Sequence, residues 1–60
     1  MASYARDDEK TPNGGDYSEI YYQDDNGNPV DETKATRFIL RECKFDGTLV
    51  HEIFGRCDSK

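Results

Sequence analysis

The dipeptide Asp46-Gly47 lies between the two most apolar stretches of the chain, residues 36–43 and residues 49–54, and it restricts the fold strongly. An Asp-Gly pair between segments of apolar and β-branched residues is a strong hairpin signal, because glycine readily adopts the positive φ that a tight turn requires. We therefore predict an antiparallel hairpin closed by a two-residue loop at Asp46-Gly47.

The predicted loop fixes which residues face each other across this hairpin. The expected pairs are Cys43 with Val50, Glu42 with His51, Arg41 with Glu52, Leu40 with Ile53 and Ile39 with Phe54. Opposite charges and apolar side chains then meet, and each such pair contributes about 0.2–1 kcal/mol. A three-residue loop with a bulge is the alternative, and it would pair Phe38 with Phe54.

A second turn signal, Asn26-Gly27, follows a segment rich in aromatic residues, residues 17–23, which reads as another strand. Pro29 cannot donate a ladder hydrogen bond, so residues 30–32 form at most a short edge strand. An EF-hand is the alternative reading of this stretch. With Gly27 at its sixth position, Tyr22 and Thr33 would occupy its first and last ligand positions, so we predict a turn and no metal site.

A helix over residues 29–43 is the rival to a strand in this part of the chain. Asn28 could cap such a helix, and Pro29 suits its first position. Against it stand two threonines, the polar Glu42 within the apolar stripe, and the loss of a strand partner for residues 49–54. A strand is the preferred prediction, and an α+β fold with this helix is the alternative.

The amino-terminal residues 1–16 hold few hydrophobic side chains, two glycines and a charged run, and this composition is typical of a disordered acidic tail. The domain is predicted to span residues 17–57, with a frayed carboxy terminus at residues 58–60. The expected fold class is all-β: a small antiparallel meander of three strands, or of four, with a disordered N-terminus.

Catalytic and metal chemistry have few candidates here. Cys43, Cys57 and the single histidine, His51, could supply at most three soft ligands, in spacings that match no zinc motif. In the predicted register Cys43 and His51 fall on opposite faces, so a Cys–His nucleophile is not expected. With 60 residues, the chain has little prospect of enclosing a substrate pocket. We predict a protein that is not an enzyme and binds no cofactor.

Charge is distributed unevenly along the chain and indicates the kind of partner. Residues 1–33 carry nine acids against two bases, and the net charge is −5. Such a surface repels nucleic acid and is attracted to basic protein surfaces. We expect a protein-interaction module, acting as an inhibitor or adaptor of a larger protein. The predicted partner-binding residues are Tyr21, Asp24, Asp25, Phe38, Arg41 and Phe54.

Three further expectations concern partners and location. The first, an alternative function, is single-stranded nucleic-acid binding by the arginines and phenylalanines of the second hairpin. A homodimer through a bare sheet face is the second, since two copies could bury what one exposes. Third, the sequence shows no apolar stretch long enough for a signal peptide or a membrane span, which favours a cytoplasmic protein.

Overall fold

The structure, a computed structural model, describes residues 2–57, and these form one antiparallel sheet. Its strands follow the chain as a meander: β1 (Tyr4–Asp7), β2 (Tyr17–Gln23), β3 (Arg37–Cys43) and β4 (Leu49–Arg56). The all-β prediction is confirmed in its four-stranded form. The helix alternative over residues 29–43 is wrong, because the second half of that range is β3 and the first half is turns. The predicted frayed residues 58–60 lie outside the described residues.

The first strand lies within the segment whose composition indicated disorder, so the structure corrects the prediction at Tyr4–Asp7. This strand pairs along its whole length with β2, from Tyr4 opposite Tyr21 to Asp7 opposite Ser18. The rings of Tyr4 and Tyr21 lie 5.2 Å apart, centroid to centroid. Backbone pairing and a few side-chain contacts with β2 hold an edge strand that buries almost nothing, and overall composition gives no signal for either.

Three turns of the chain share one hydrogen-bonding pattern. The amides of Gly14, Gly27 and Gly47 each donate to the carbonyl three residues earlier, and that earlier residue donates its own amide to the carbonyl just after the glycine. All three glycines have positive φ, between 86° and 96°. This is a type I turn followed by a left-handed glycine, the usual three-residue hairpin loop.

The turn at Asp46-Gly47 is therefore confirmed, but the two-residue loop is wrong. Lys44 and Thr48 close the loop, and the Lys44 amide donates to the Thr48 carbonyl at 2.9 Å. A two-residue type I′ turn would need positive φ at the aspartate as well. Here only the glycine takes positive φ, so Asp46 avoids a conformation that is costly for a residue with a Cβ.

Pairing between β3 and β4 follows the predicted register from Ile39 to Glu42. Cys43 pairs with Leu49 and not with Val50, because the pairing shifts by one residue between Glu42 and Cys43. The alternative with Phe38 opposite Phe54 is not adopted, since Phe38 lies opposite Gly55. The Phe38 ring occupies the space that a Cβ on Gly55 would need.

The connection between β2 and β3 replaces the predicted edge strand at residues 30–32. An isolated bridge, Gln23 to Pro29, lies just before these residues, and the Val30 amide donates to the Tyr22 carbonyl at 3.2 Å. The chain then turns at Asp31, whose carbonyl accepts from the Lys34 amide at 2.9 Å, and continues to Ala35, which is fully buried. Asp31 also draws in the amino terminus, since its Oδ1 accepts from the Ala2 amide at 2.8 Å. Single backbone hydrogen bonds and the Asp31 side chain hold this connection in place of a continuous ladder, which the proline interrupts.

Burial is slight in this single-layer sheet. Ala35 and Cys43 are the buried apolar residues among those described, and the buried carboxylate of Glu42 accepts from Asn13 Nδ2 at 3.1 Å. Several large apolar side chains stay exposed; they are Tyr4, Phe45, Leu49, Ile53 and Phe54. The two faces of the sheet, rather than an interior, therefore carry the chemistry of the molecule.

Candidate functional site

One face of the sheet, here called the front face, collects the charged and aromatic side chains. Side chains alternate between faces along a strand, and directly paired residues point to the same side. The register then gives two rows across all four strands. The front apolar row is Tyr4, Tyr21, Ile39 and Phe54; the front charged row is Arg6, Glu19, Arg41 and Glu52.

The front apolar row is anchored by Glu19 at the β1 and β2 end. The hydroxyls of Tyr4 and Tyr21 donate to the two oxygens of this carboxylate, at 2.8 Å and 3.2 Å. Partial burial and the neighbouring Glu19 charge raise the pKa of Tyr21, so its hydroxyl stays protonated and can donate. The other end of the row is open, because Phe54 is 65% exposed.

The front charged row alternates in sign across the sheet. Arg41 Nε donates to Glu52 Oε2 at 2.6 Å, and this hydrogen bond raises the pKa of Arg41. The Arg41 guanidinium also lies 5.6 Å from the centre of the Tyr21 ring. Arg6 lies 4.1 Å above the Tyr17 ring and pairs with a carboxylate of its own, that of Asp8. Opposite charges on adjacent strands stabilise the register.

A third group lies at the end of the front face where β2 leads into its turn. Here Arg37 faces Arg56 across β3 and β4, and Asp25 of the turn lies near both. The Asp25 carbonyl accepts from Arg37 Nη1 at 3.3 Å, and its Oδ1 lies 3.7 Å from Arg56 Nη2. The Thr36 hydroxyl donates to the same Oδ1 at 2.7 Å. The turn is therefore fastened to the front face through its second acid.

The first acid of that turn, Asp24, has a structural role. Its Oδ1 accepts from the backbone amides of Asn26 and Asn28, each at 2.9 Å. These hydrogen bonds lower the pKa of Asp24, and the one from Asn28 has the largest effect. An aspartate that bonds backbone amides two and four residues later is a common way to build a turn. The carboxylate that the EF-hand reading would use for calcium is engaged in shaping the loop.

The structure separates one predicted site residue from the others. Tyr21, Arg41 and Phe54 share the front face, and the Asp24 and Asp25 turn borders it. Phe38 points to the opposite face, where its ring covers Gly55. Adjacent residues of a strand cannot share a face, so pairing Ile39 with Phe54 already implied this division.

Two members of the front apolar row are absent from the predicted set, Tyr4 and Ile39. The predicted register could have found Ile39, because it sets Ile39 directly opposite Phe54. Tyr4 could not be found in this way, since its segment carries no strand signal in its composition.

The opposite face, here called the back face, is more apolar at its centre. Its central row is Ala5, Ile20, Leu40 and Ile53. Glu42 and His51 lie opposite each other beside it, next to Ser18. Ile53, at the β4 end of the row, is 38% exposed. The back face offers apolar area but fewer charges than the front face.

Comparison with known proteins found no matching family model, no similar curated protein and no similar solved structure. Among the described residues no helix is long and apolar enough to cross a membrane. Both Cys43 and Cys57 carry free thiols. The front face, with its apolar and charged rows, is the candidate functional site.

Proposed function

We propose that this chain is a small acidic, non-catalytic protein-interaction module that acts as an inhibitor or adaptor on a larger protein with a basic surface. The observation that carries the proposal is the front apolar row, which ends in the exposed ring of Phe54. Large aromatic side chains that reach solvent on an open sheet face supply contact area at low entropic cost, and aromatic residues dominate many interfaces.

The charge of the chain favours a partner with a basic surface. Within the front face, Arg6, Arg41 and Arg56 each lie within 4 Å of a carboxylate, so their positive charges are largely compensated. The chain as a whole keeps a net charge of −5. A basic protein surface is steered toward such a molecule, and this raises the association rate more than the final affinity. A cytoplasmic location belongs to the same proposal and rests on the composition of the sequence.

The test is capture of partners from a native lysate at low and high salt, with recovered protein and nucleic acid both analysed. The wild-type chain should retain a protein partner that is lost at high salt, and Phe54→Ser should lose it at low salt as well. Phe45→Ser is the matched control, because Phe45 is also exposed but lies in the β3–β4 turn, stacked on Tyr17. Equal loss with both variants would mean that the front apolar row has no special part.

A second candidate function, single-stranded nucleic-acid binding, is favoured by one observation. The four arginines Arg6, Arg37, Arg41 and Arg56 all lie on the front face with its tyrosines and Phe54. Arginines among aromatic rings can hold a single strand by its phosphates and stacked bases. Fluorescence anisotropy with labelled single-stranded RNA and DNA decides between the two. Saturable binding that Arg37→Gln weakens would replace the interaction-module proposal with this one.

A further inference from the structure

The two outer edges of the sheet differ in how they are protected. The edge formed by β1 is only four residues long, and its second half begins a charged run, residues 6–10. The edge formed by β4 has eight residues and exposes Leu49, Ile53 and Phe54. Long apolar edges without lysine or proline are templates for pairing with another strand. The β4 edge is thus the one that can accept a further strand.

Hydrogen bonds show which backbone groups of β4 point outward. The Cys57 amide donates inward to the Thr36 carbonyl at 3.0 Å. Successive residues of a strand point their amides and carbonyls to opposite sides. The backbone groups of Glu52, Phe54 and Arg56 therefore point away from β3, and those of Ile53 point toward it. Each of these three outward-facing residues offers one amide and one carbonyl, so the edge provides six hydrogen-bonding groups.

Two-fold symmetry allows few registers for a β4 strand against a copy of itself. An antiparallel pair related by an axis perpendicular to the sheet keeps both front faces on the same side, so residues of the same face must meet. An axis through Glu52 sets two glutamates opposite each other. An axis through Ile53 sets Glu52 opposite a phenylalanine. An axis through Phe54 sets Glu52 opposite Arg56 of the second copy, twice, with the two phenylalanines meeting at the centre.

We propose that a second copy of this chain adds its β4 antiparallel to the outer edge of β4, with Phe54 opposite Phe54 of that copy. The charges of β4 are self-complementary in this register alone among those three. Glu52 can join the contact without giving up its own partner, because Arg41 bonds Oε2 and the second oxygen remains available. Arg56 can turn toward this oxygen, because its side chain is 74% exposed and its 3.7 Å distance from Asp25 is longer than a hydrogen bond.

The product is one continuous eight-stranded sheet in which the two front apolar rows run into each other at Phe54. The contact is a single strand edge, which is small compared with stable protein interfaces, so self-association is reversible and depends on concentration. This inference does not rest on the proposed function, because the front face stays open when the edges join.

The test is carried out on the full chain by sedimentation equilibrium and by amide exchange in NMR spectra over a range of protein concentrations. The chain should pass from monomer to dimer, and the amides of Glu52, Phe54 and Arg56 should exchange more slowly as the concentration rises. The amides of Tyr4 and Arg6, which point outward from β1, should not change. A chain that stays monomeric, or a dimer without added protection in β4, would overturn the proposal.

The register has its own control. Arg56→Glu turns both attractive pairs into repulsive ones and should weaken the dimer by about tenfold. Lys44→Glu makes the same change in net charge in the β3–β4 turn, away from the contact, and should leave the dimer almost unaffected. Circular dichroism checks that both variants fold. Equal effects of the two variants would show that Glu52 and Arg56 do not face each other, and the register would be wrong.

Discussion

Substituting Gly15 by alanine tests the amino-terminal half of the fold directly. Gly15 is buried, and it follows the turn that joins β1 to β2. A Cβ at this position would lie 2.7 Å from Thr11 Oγ1, and 3.2 Å and 3.3 Å from the backbone oxygen and nitrogen of Cys43. The Thr11 hydroxyl cannot move away freely, because it accepts from the Gly15 amide at 2.8 Å. The added methyl group therefore meets backbone on one side and an engaged side chain on the other.

Such overpacking costs about 1–3 kcal/mol of folding free energy. A domain of this size has a total of only about 3–5 kcal/mol, and each kcal/mol lowers its melting temperature by about 4–8 °C. Gly15→Ala should therefore lower the melting temperature by roughly 5–20 °C, in line with those principles. In a disordered tail the same change would be neutral, because residue 15 would then be equally unordered in the folded and the unfolded protein.

Thermal unfolding followed by circular dichroism measures the effect. The double variant with Thr11→Ala is the control, since removing the hydroxyl relieves the shortest contact and should reduce the cost of the added methyl group. An unchanged melting temperature for Gly15→Ala would refute the placement of Gly15 against Cys43, and with it the ordered turn before β2.

Three other perturbations have defined outcomes. Gly47→Val should lose at least about 1 kcal/mol in urea unfolding, because the residue keeps a φ of 93° that a β-branched side chain avoids. Acidification should also destabilise the chain, since hydrogen bonds from residues two or four positions later lower the pKa of Asp24, Asp31 and Asp46. A depressed folded-state pKa gives stability that is present above the unfolded pKa of about 3.9 and is lost as the pH falls through the folded value; urea midpoints that do not fall between pH 5 and pH 2 would contradict it. Added calcium should leave the amide resonances of Asp24 and Asn26 unmoved, and a saturable shift would show that the turn binds the metal.

The strands that carry alternating apolar side chains were predictable from the sequence, and β1 was not. Alternation of apolar and polar residues around Asp46-Gly47 correctly predicted β3, β4 and most of their register. β1 has no such pattern, because its side chains are exposed and its pairing depends on backbone groups that every sequence possesses. The loop length was predicted wrongly for a different reason. An Asp-Gly pair suits both a two-residue and a three-residue loop, and only the cost of positive φ at Asp46 favours the longer one.

Part of the candidate site followed from the same register. Tyr21, Arg41 and Phe54 meet on the front face because strand alternation and pairing place them there. The arrangement of Asp25 with Thr36 and Arg56 depends on how the long β2–β3 connection folds back, which local preferences do not determine. Phe38 was assigned to the site by its residue type, although its position next to Ile39 in β3 sends it to the other face.

The meander order leaves each strand in contact with its sequence neighbours only, since β1 contacts β2, β2 contacts β3 and β3 contacts β4. Such a chain behaves like a short linear array, in which stability is the sum of neighbouring junctions. Partial unfolding should begin at β1, whose four residues are all exposed, and leave the β3–β4 junction closed. The molecule can therefore lose its first strand for brief periods and still present the Phe54 end of its front face.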